Sequence, residues 1–224
     1  MTNFFYNTEF LDDGYQVDLI SIGIVNDEDD REYYAVNRLA PWNRIMEHEF
    51  LKENVVPHLP LSDNRILTAI NDCPLDLSNP CVKYKSDIAE EVRQFLLSGS
   101  SPPQLWAWYA AYDHLAYAQL WGPMSRLPDG LPKFTMDLKQ EHVRHGNPEL
   151  PPQSEGEHHA LADARYNLLI ARVLSAFDCG GWPLFSLSQE DRARLNTLGQ
   201  TVSGAPPVVP DRAPGSPPVE GFDY

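Results

Sequence analysis

The chain has 224 residues, 42% hydrophobic content and a formal net charge of −15. This length suits one sizeable domain with a buried core, while the charge repels phosphate at long range and excludes broad, salt-driven binding to duplex nucleic acid. What it allows is a small local site where carboxylates gather around divalent cations, since bound metal inverts the local field. No window approaches the roughly 20 apolar residues of a membrane span and the chain opens without a basic stretch, so a cytoplasmic protein with no membrane partner is expected. Cys73, Cys81 and Cys179 suggest neither a disulfide framework nor a zinc site.

The first element is a short apolar strand, Phe4-Phe5-Tyr6, which ends in Asn7-Thr8-Glu9. Val17 to Val25 is β-rich and alternates, the acidic run Asn26 to Asp30 reads as a solvated hairpin turn, and Glu32 to Val36 returns as a third strand. Ile45, Met46, Phe50 and Leu51 stand at helical spacing and predict a helix from Trp42 to Glu53. Leu59 to Tyr84, rich in Pro, Asn, Asp and Ser, reads as a long functional or mobile loop. Ser86 is the predicted N-cap of a helix that buries Ile88, Val92, Phe95 and Leu96 and stops at Gly99.

Leu105 to Ala111 is apolar on both faces, as a central strand should be, and leads to Asp113 at a helix start. Phe134 to Asp137 predicts a short strand into a helix from Leu138 to His145, and a longer helix is expected from His158 to Phe177. A last helix, Gln189 to Leu198, precedes a Pro-rich tail with Pro206, Pro207, Pro210, Pro214, Pro217 and Pro218. The expected organisation is one α/β (α+β) domain over 1–200, a mixed sheet flanked by helices, with a disordered tail over 201–224.

Three pieces carry chemistry. Side chains 7 and 9 of Asn7-Thr8-Glu9 face one side of a strand, Asp113 follows the buried strand, and His158-His159-Ala160-Leu161-Ala162-Asp163 opens a late helix. Each alone is weak: Asp113 could simply cap its helix, and a histidine in a loop is usually solvated. Together they offer oxygen ligands of the kind magnesium requires and a histidine whose proton affinity suits a general base near neutral pH. Trp106, Trp108 and Trp121 read as core, and Phe10 suits either the core or a base-stacking role.

At these residues the chain resembles the DEDDh 3′-5′ exonucleases of the RNase H-like superfamily, whose motifs are Asp-x-Glu, a mid-chain Asp and His-x-Ala-x-x-Asp. The resemblance is closer to the RNase AS group of polyadenylate-specific exoribonucleases. Tyr6 to Phe10, Leu19 to Val25, Arg31 to Val36 and Leu105 to His114 look like that group's segments, and the match runs to about Leu174. The resemblance implies an RNase H-like fold and hydrolysis of single-stranded RNA from its 3′ end to nucleoside monophosphates. Two Mg²⁺ ions, or Mn²⁺ in their place, would be held at positions 7, 9, 113 and 163, here Asn7, Glu9, Asp113 and Asp163. His158 would be the base, with adjacent His159 as the rival. Thr8, Phe10 and Leu11 would touch substrate, and a homodimer is suggested.

Asn7 departs from that pattern, which asks for an aspartate. The amide keeps the size and one carbonyl oxygen but removes a charge, so metal affinity and activity should both fall. Its origin stays open between an inactivating change, natural divergence and a relative that only binds RNA. The other functional readings are a catalytically silent module for RNA 3′ ends and a DNA-directed exonuclease of the same superfamily.

Overall fold

The structure, a computed structural model, describes residues 1–29, 31–63, 73–153 and 155–175. Its centre is β1 (Thr2–Asp12), antiparallel to β2 (Val17–Asn26), which is antiparallel to β3 (Glu32–Asn37). Short β4 (Val82–Lys83) joins β3 in parallel at one edge; β5 (Pro103–Ala107) and β6 (Thr135–Asp137) extend the sheet in parallel from β1. The strand order is β4-β3-β2-β1-β5-β6, a six-stranded mixed sheet. Helices α1 (Trp42–Glu47), α2 (Lys85–Leu97), α3 (Ala110–Ala118), α4 (Leu138–Arg144) and α5 (Ala160–Ser175) flank it, as an RNase H-like fold requires.

Both faces of the sheet are covered, which is why β1 opens on consecutive aromatics: Phe4 and Phe5 are both fully buried. Phe4 and Tyr6 pack with Ile88, Val92 and Leu96 of α2 and Ala116 and Tyr117 of α3. Phe5, Val25 and Trp106 pack on the other side with Ala164, Leu168 and Ala171 of α5. The approach of α5 is very close. A Cβ added to Gly23 of β2 would lie 2.3 Å from the backbone N and Cα of Leu161, so only glycine lets the helix seat there. Asn167 of α5 donates to the Tyr6 carbonyl at 2.9 Å, tying the helix to β1 one residue before Asn7.

Several elements depart from the sequence expectations. The first strand continues to Asp12, with a register shift between Glu9 and Phe10. The helix expected to Glu53 stops at Glu47, because His48 turns to an extended conformation; a π turn (Leu51–Val55) and a 3₁₀ turn (Val56–His58) then keep Leu51, Val55 and Val56 buried. Ser86 is not a cap, since α2 already begins at Lys85 after an extended Tyr84. The acidic turn is more than solvated: Asp27 accepts from the Asn3 backbone and amide, and Glu28 accepts from Thr2 and Ser100, which fastens the hairpin to the start of β1. Trp106 is buried in the core, and Trp121 and Trp108 are half-buried against it, Trp108 also on a pocket wall.

The predicted helix 189–198, the tail 201–224, Cys179 and part of the 59–84 loop lie outside the described residues. No described helix is long and apolar enough to cross a membrane.

Candidate active site

The strand β1 carries Asn7, Thr8 and Glu9 to the rim of the sheet, where α3 and α5 bring their first turns from opposite faces. A pocket of about 630 Å³ opens there, lined by Asn7, Thr8, Glu9, Phe10, Asp113, Gln153, His158 and Asp163 among others. Among the described residues its acids are Glu9, Asp113, Glu157 and Asp163, and no lysine or arginine lines it.

Asp113 does not cap α3. That helix starts at Ala110, after Tyr109 in a left-handed conformation with φ 54°, and Asp113 is in its first turn with the carboxylate turned inward. Its Oδ1 accepts two bonds from Thr8, from the backbone N–H and from the hydroxyl, both at 2.7 Å. Burial pushes its carboxyl up to about 7, against the lowering effect of the two Thr8 bonds.

Asp163 stands in the first turn of α5. Gln153 donates to its Oδ1 at 2.6 Å, and the His158 N–H donates to its Oδ2 at 3.1 Å. Asn7 lies between the remaining acids: its amide donates to Glu9 Oε1 at 3.2 Å and to Asp163 Oδ2 at 3.4 Å. Burial first, then the neighbouring Asp163 carboxylate, pushes Glu9 up to about 8; burial likewise raises Asp163. Burial is the main cause of each shift, and neighbouring carboxylates add to it at Glu9 and Asp113.

The two histidines have separate roles. His158 has φ 67°, lines the pocket and meets the edge of Phe50 with ring centroids 5.0 Å apart. His159 turns away to stack on Tyr34 at 4.5 Å, and its Nδ1 accepts from the Ala162 N–H at 3.3 Å, capping α5. Burial holds its proton affinity below the usual imidazole range.

The residues expected to touch substrate divide. Phe10 lines the pocket and stacks on Tyr112, centroids 6.3 Å apart, while also packing against the core. Thr8 is buried and its hydroxyl is committed to Asp113. Leu11 is 4% exposed and packs with Ile20, Val36 and Ile45, away from the pocket. Gln153, Phe50, Tyr109 and Tyr112 also line the pocket and were not singled out by motif. Gln153 sits in an irregular Pro-rich stretch with no periodic signal, Tyr109 gave only the apolar pattern of the strand expected over Leu105 to Ala111, and Tyr112 stands just past that stretch.

The donor set suits a hard divalent cation: carboxylate oxygens and an amide carbonyl, with burial-raised acids and, among the described residues, no cationic side chain on the wall. Among the described residues, no three His, Cys, Asp or Glu side chains are gathered tightly enough to form a ligand cluster. The Glu9 and Asp163 carboxyls share a hydrogen bond, the Asn7 amide donates to both, and Asp113 is drawn toward Thr8.

No family model matches the chain. It is 37% identical over 179 residues to 3′-5′ exoribonucleases from two strains of Mycobacterium tuberculosis, an alignment that covers 80% of this chain and 96% of each relative. At that identity over nearly the whole length of the relatives, the chain belongs to the family of 3′-5′ exoribonucleases.

Proposed function

We propose that the pocket is a magnesium-dependent phosphodiesterase centre of the DEDDh type, related to the polyadenylate-specific RNase AS group, and that it removes nucleoside monophosphates from the 3′ end of single-stranded RNA. The observation that carries this reading is the meeting of Glu9 from β1, Asp113 from α3 and Asp163 from α5 at one pocket beside His158, with no lysine or arginine among the described residues that line it. Glu9, Asp163 and the free oxygen of Asp113 would hold two Mg²⁺ ions, with the Asn7 carbonyl as a weak fourth donor. Bound there, magnesium supplies charge that acidifies the attacking water and offsets the phosphate.

The protein's own contribution is placement. Thr8 fixes Asp113, and Gln153 with the His158 N–H fixes Asp163. The His158 imidazole, at the pocket wall, takes the proton of the attacking water. The Phe10 and Tyr112 pair offers an aromatic surface to the terminal base, a grip that tolerates sequence because every base has a π face.

Asn7 leaves the chain as written nearly inactive. Asn7→Asp should raise Mg²⁺-dependent shortening of 5′-labelled oligoadenylate by at least about tenfold, in line with what a lost metal-site contact costs, and EDTA should abolish the gain. Absence of any gain would overturn the account of Asn7, and an inactive reverted chain in both Mg²⁺ and Mn²⁺ would overturn the enzymatic reading. The two hydrogen bonds from Asn7 favour one other reading, a silent holder of RNA 3′ ends. Tight binding without turnover in the Asn7→Asp variant would select it.

A further inference from the structure

A second pocket, of about 460 Å³, opens at the same rim of the sheet beyond the end of β3. Trp42 and Asn43 belong to its wall, with Leu39, Leu77 and Tyr84 around Arg38; among the described residues no carboxylate lines it. The Arg38 guanidinium lies over the Tyr84 ring, 4.9 Å from its centroid. Leu39 is 69% exposed, Tyr84 44% and Leu77 41%, so the stack is surrounded by apolar surface open to solvent.

Arg38, like Arg126, stands outside the ion pairs that most of the described arginines make. With a net charge of −15, carboxylates are abundant, and Arg31, Arg44, Arg93, Arg144 and Arg165 each pair with one. Arg38 makes no ion pair among the described residues. Its backbone is fixed instead: the N–H donates to the Lys83 carbonyl at 2.8 Å, and its carbonyl accepts from the Trp42 indole at 3.0 Å. A rigid backbone thus presents a guanidinium with unclaimed N–H groups, flat against an aromatic ring. That pairing suits a phosphate at the guanidinium edge and a base against the adjacent aromatic and aliphatic surface.

Position relates this pocket to the first. Glu9, Ser21 and Val36 lie in one row across β1, β2 and β3, and β3 runs in the same direction as β1. Two strand spacings plus two residues along β3 place the Arg38 Cα roughly 12 Å from that of Glu9. A few nucleotides of extended single strand cover such a span. The segment between the pockets is continuous, since Trp42 and Asn43 line one and Phe50 lines the other.

We infer that the Arg38 and Tyr84 pocket is an upstream contact for single-stranded RNA, holding a phosphate and base several nucleotides before the 3′ end that lies in the carboxylate pocket. This rests on the proposed reading of the carboxylate pocket as the seat of an RNA 3′ end. Its role is affinity for longer strands, through one charged and one stacking contact in a protein whose overall field repels RNA.

Fluorescence anisotropy with a labelled adenylate dinucleotide and a decanucleotide tests it, using the full chain with Asn7 so that binding is measured without turnover. Arg38→Gln and Tyr84→Ala should each weaken the decanucleotide about tenfold, the scale of one stacking contact, and leave the dinucleotide unchanged. For Arg38→Gln, the slope of log affinity against log salt should fall in magnitude by about 0.7, the value of one phosphate contact on a single strand. Unchanged decanucleotide binding in both variants, with circular dichroism showing a native fold, would overturn the inference. Failure of the unaltered chain to bind either oligomer would instead sink the reading of the carboxylate pocket, and the upstream contact with it.

Discussion

Thr8 gives Asp113 both of its resolved hydrogen bonds, from positions 105 residues apart in the chain. A buried carboxylate held by two donors cannot turn freely, so Thr8 decides which Asp113 oxygen faces the pocket. Thr8→Val keeps the volume and removes one donor. Bonds to charged groups contribute about 1.5–3 kcal/mol, and a stability loss of that order is expected in urea unfolding. In the Asn7→Asp background the same change should lower activity about 10- to 100-fold, the usual effect of disturbing a residue that orients a metal ligand. Activity equal to that of the Asn7→Asp parent would show that Thr8 does not position Asp113. Local pattern could name Asp113 but not choose between a helix cap and a pocket acid, because the deciding partner is distant in sequence. Leu11 shows the reverse error: it follows the motif closely, yet the cover of α1, with Trp42 and Ile45 in the same cluster, puts it in the core.

At the scale of elements, the site depends on how closely α5 lies on the sheet. Asp163 reaches the pocket because Gly23 admits the backbone of Ala160 and Leu161, and because Asn167 anchors the helix to β1. Gly23→Ala would set a methyl 2.3 Å from the Leu161 backbone, where no flexible side-chain end can yield. Overpacking of this kind costs about 1–3 kcal/mol, and the helix must shift to relieve it. Both the urea midpoint and the activity of the Asn7→Asp background should therefore fall, whereas Gly14→Ala, with open space around it but a φ of +82° that strains alanine, should cost stability in its turn and leave the helix and the activity in place. A Gly23→Ala protein with unchanged stability would contradict the close seating of α5. The β-rich stretch from Val17 to Val25 was legible as a strand from composition, and a glycine within it signals a close approach. Which element approaches was not legible, since nothing near Gly23 in sequence points to a helix nearly 140 positions later.

For the whole molecule, acids outnumber bases widely, and the pocket concentrates that imbalance in a buried place. Glu9 is raised from 4.5 to about 8 and Asp113 from 3.8 to about 7, both chiefly by burial. In each case the folded state holds a proton that the unfolded chain has already released, so stability falls as pH rises between the two values. The contribution is fully present below about pH 4 and is lost as pH passes through 7 to 8. In EDTA, the midpoint of thermal unfolding should therefore drop from pH 6 to pH 8.5. Magnesium should oppose the drop, because it binds the ionised carboxylates of the folded chain and stabilises it by mass action. The gain from Mg²⁺ should be larger at pH 8.5 than at pH 6, where protons compete for the same oxygens. Glu9→Gln serves as the control: with no proton to lose at that position, the slope between pH 6 and 8.5 should flatten. Differential scanning fluorimetry at both pH values, with and without Mg²⁺, makes the comparison, and a midpoint that stays level in EDTA would refute the account of the pocket as a store of uncompensated charge.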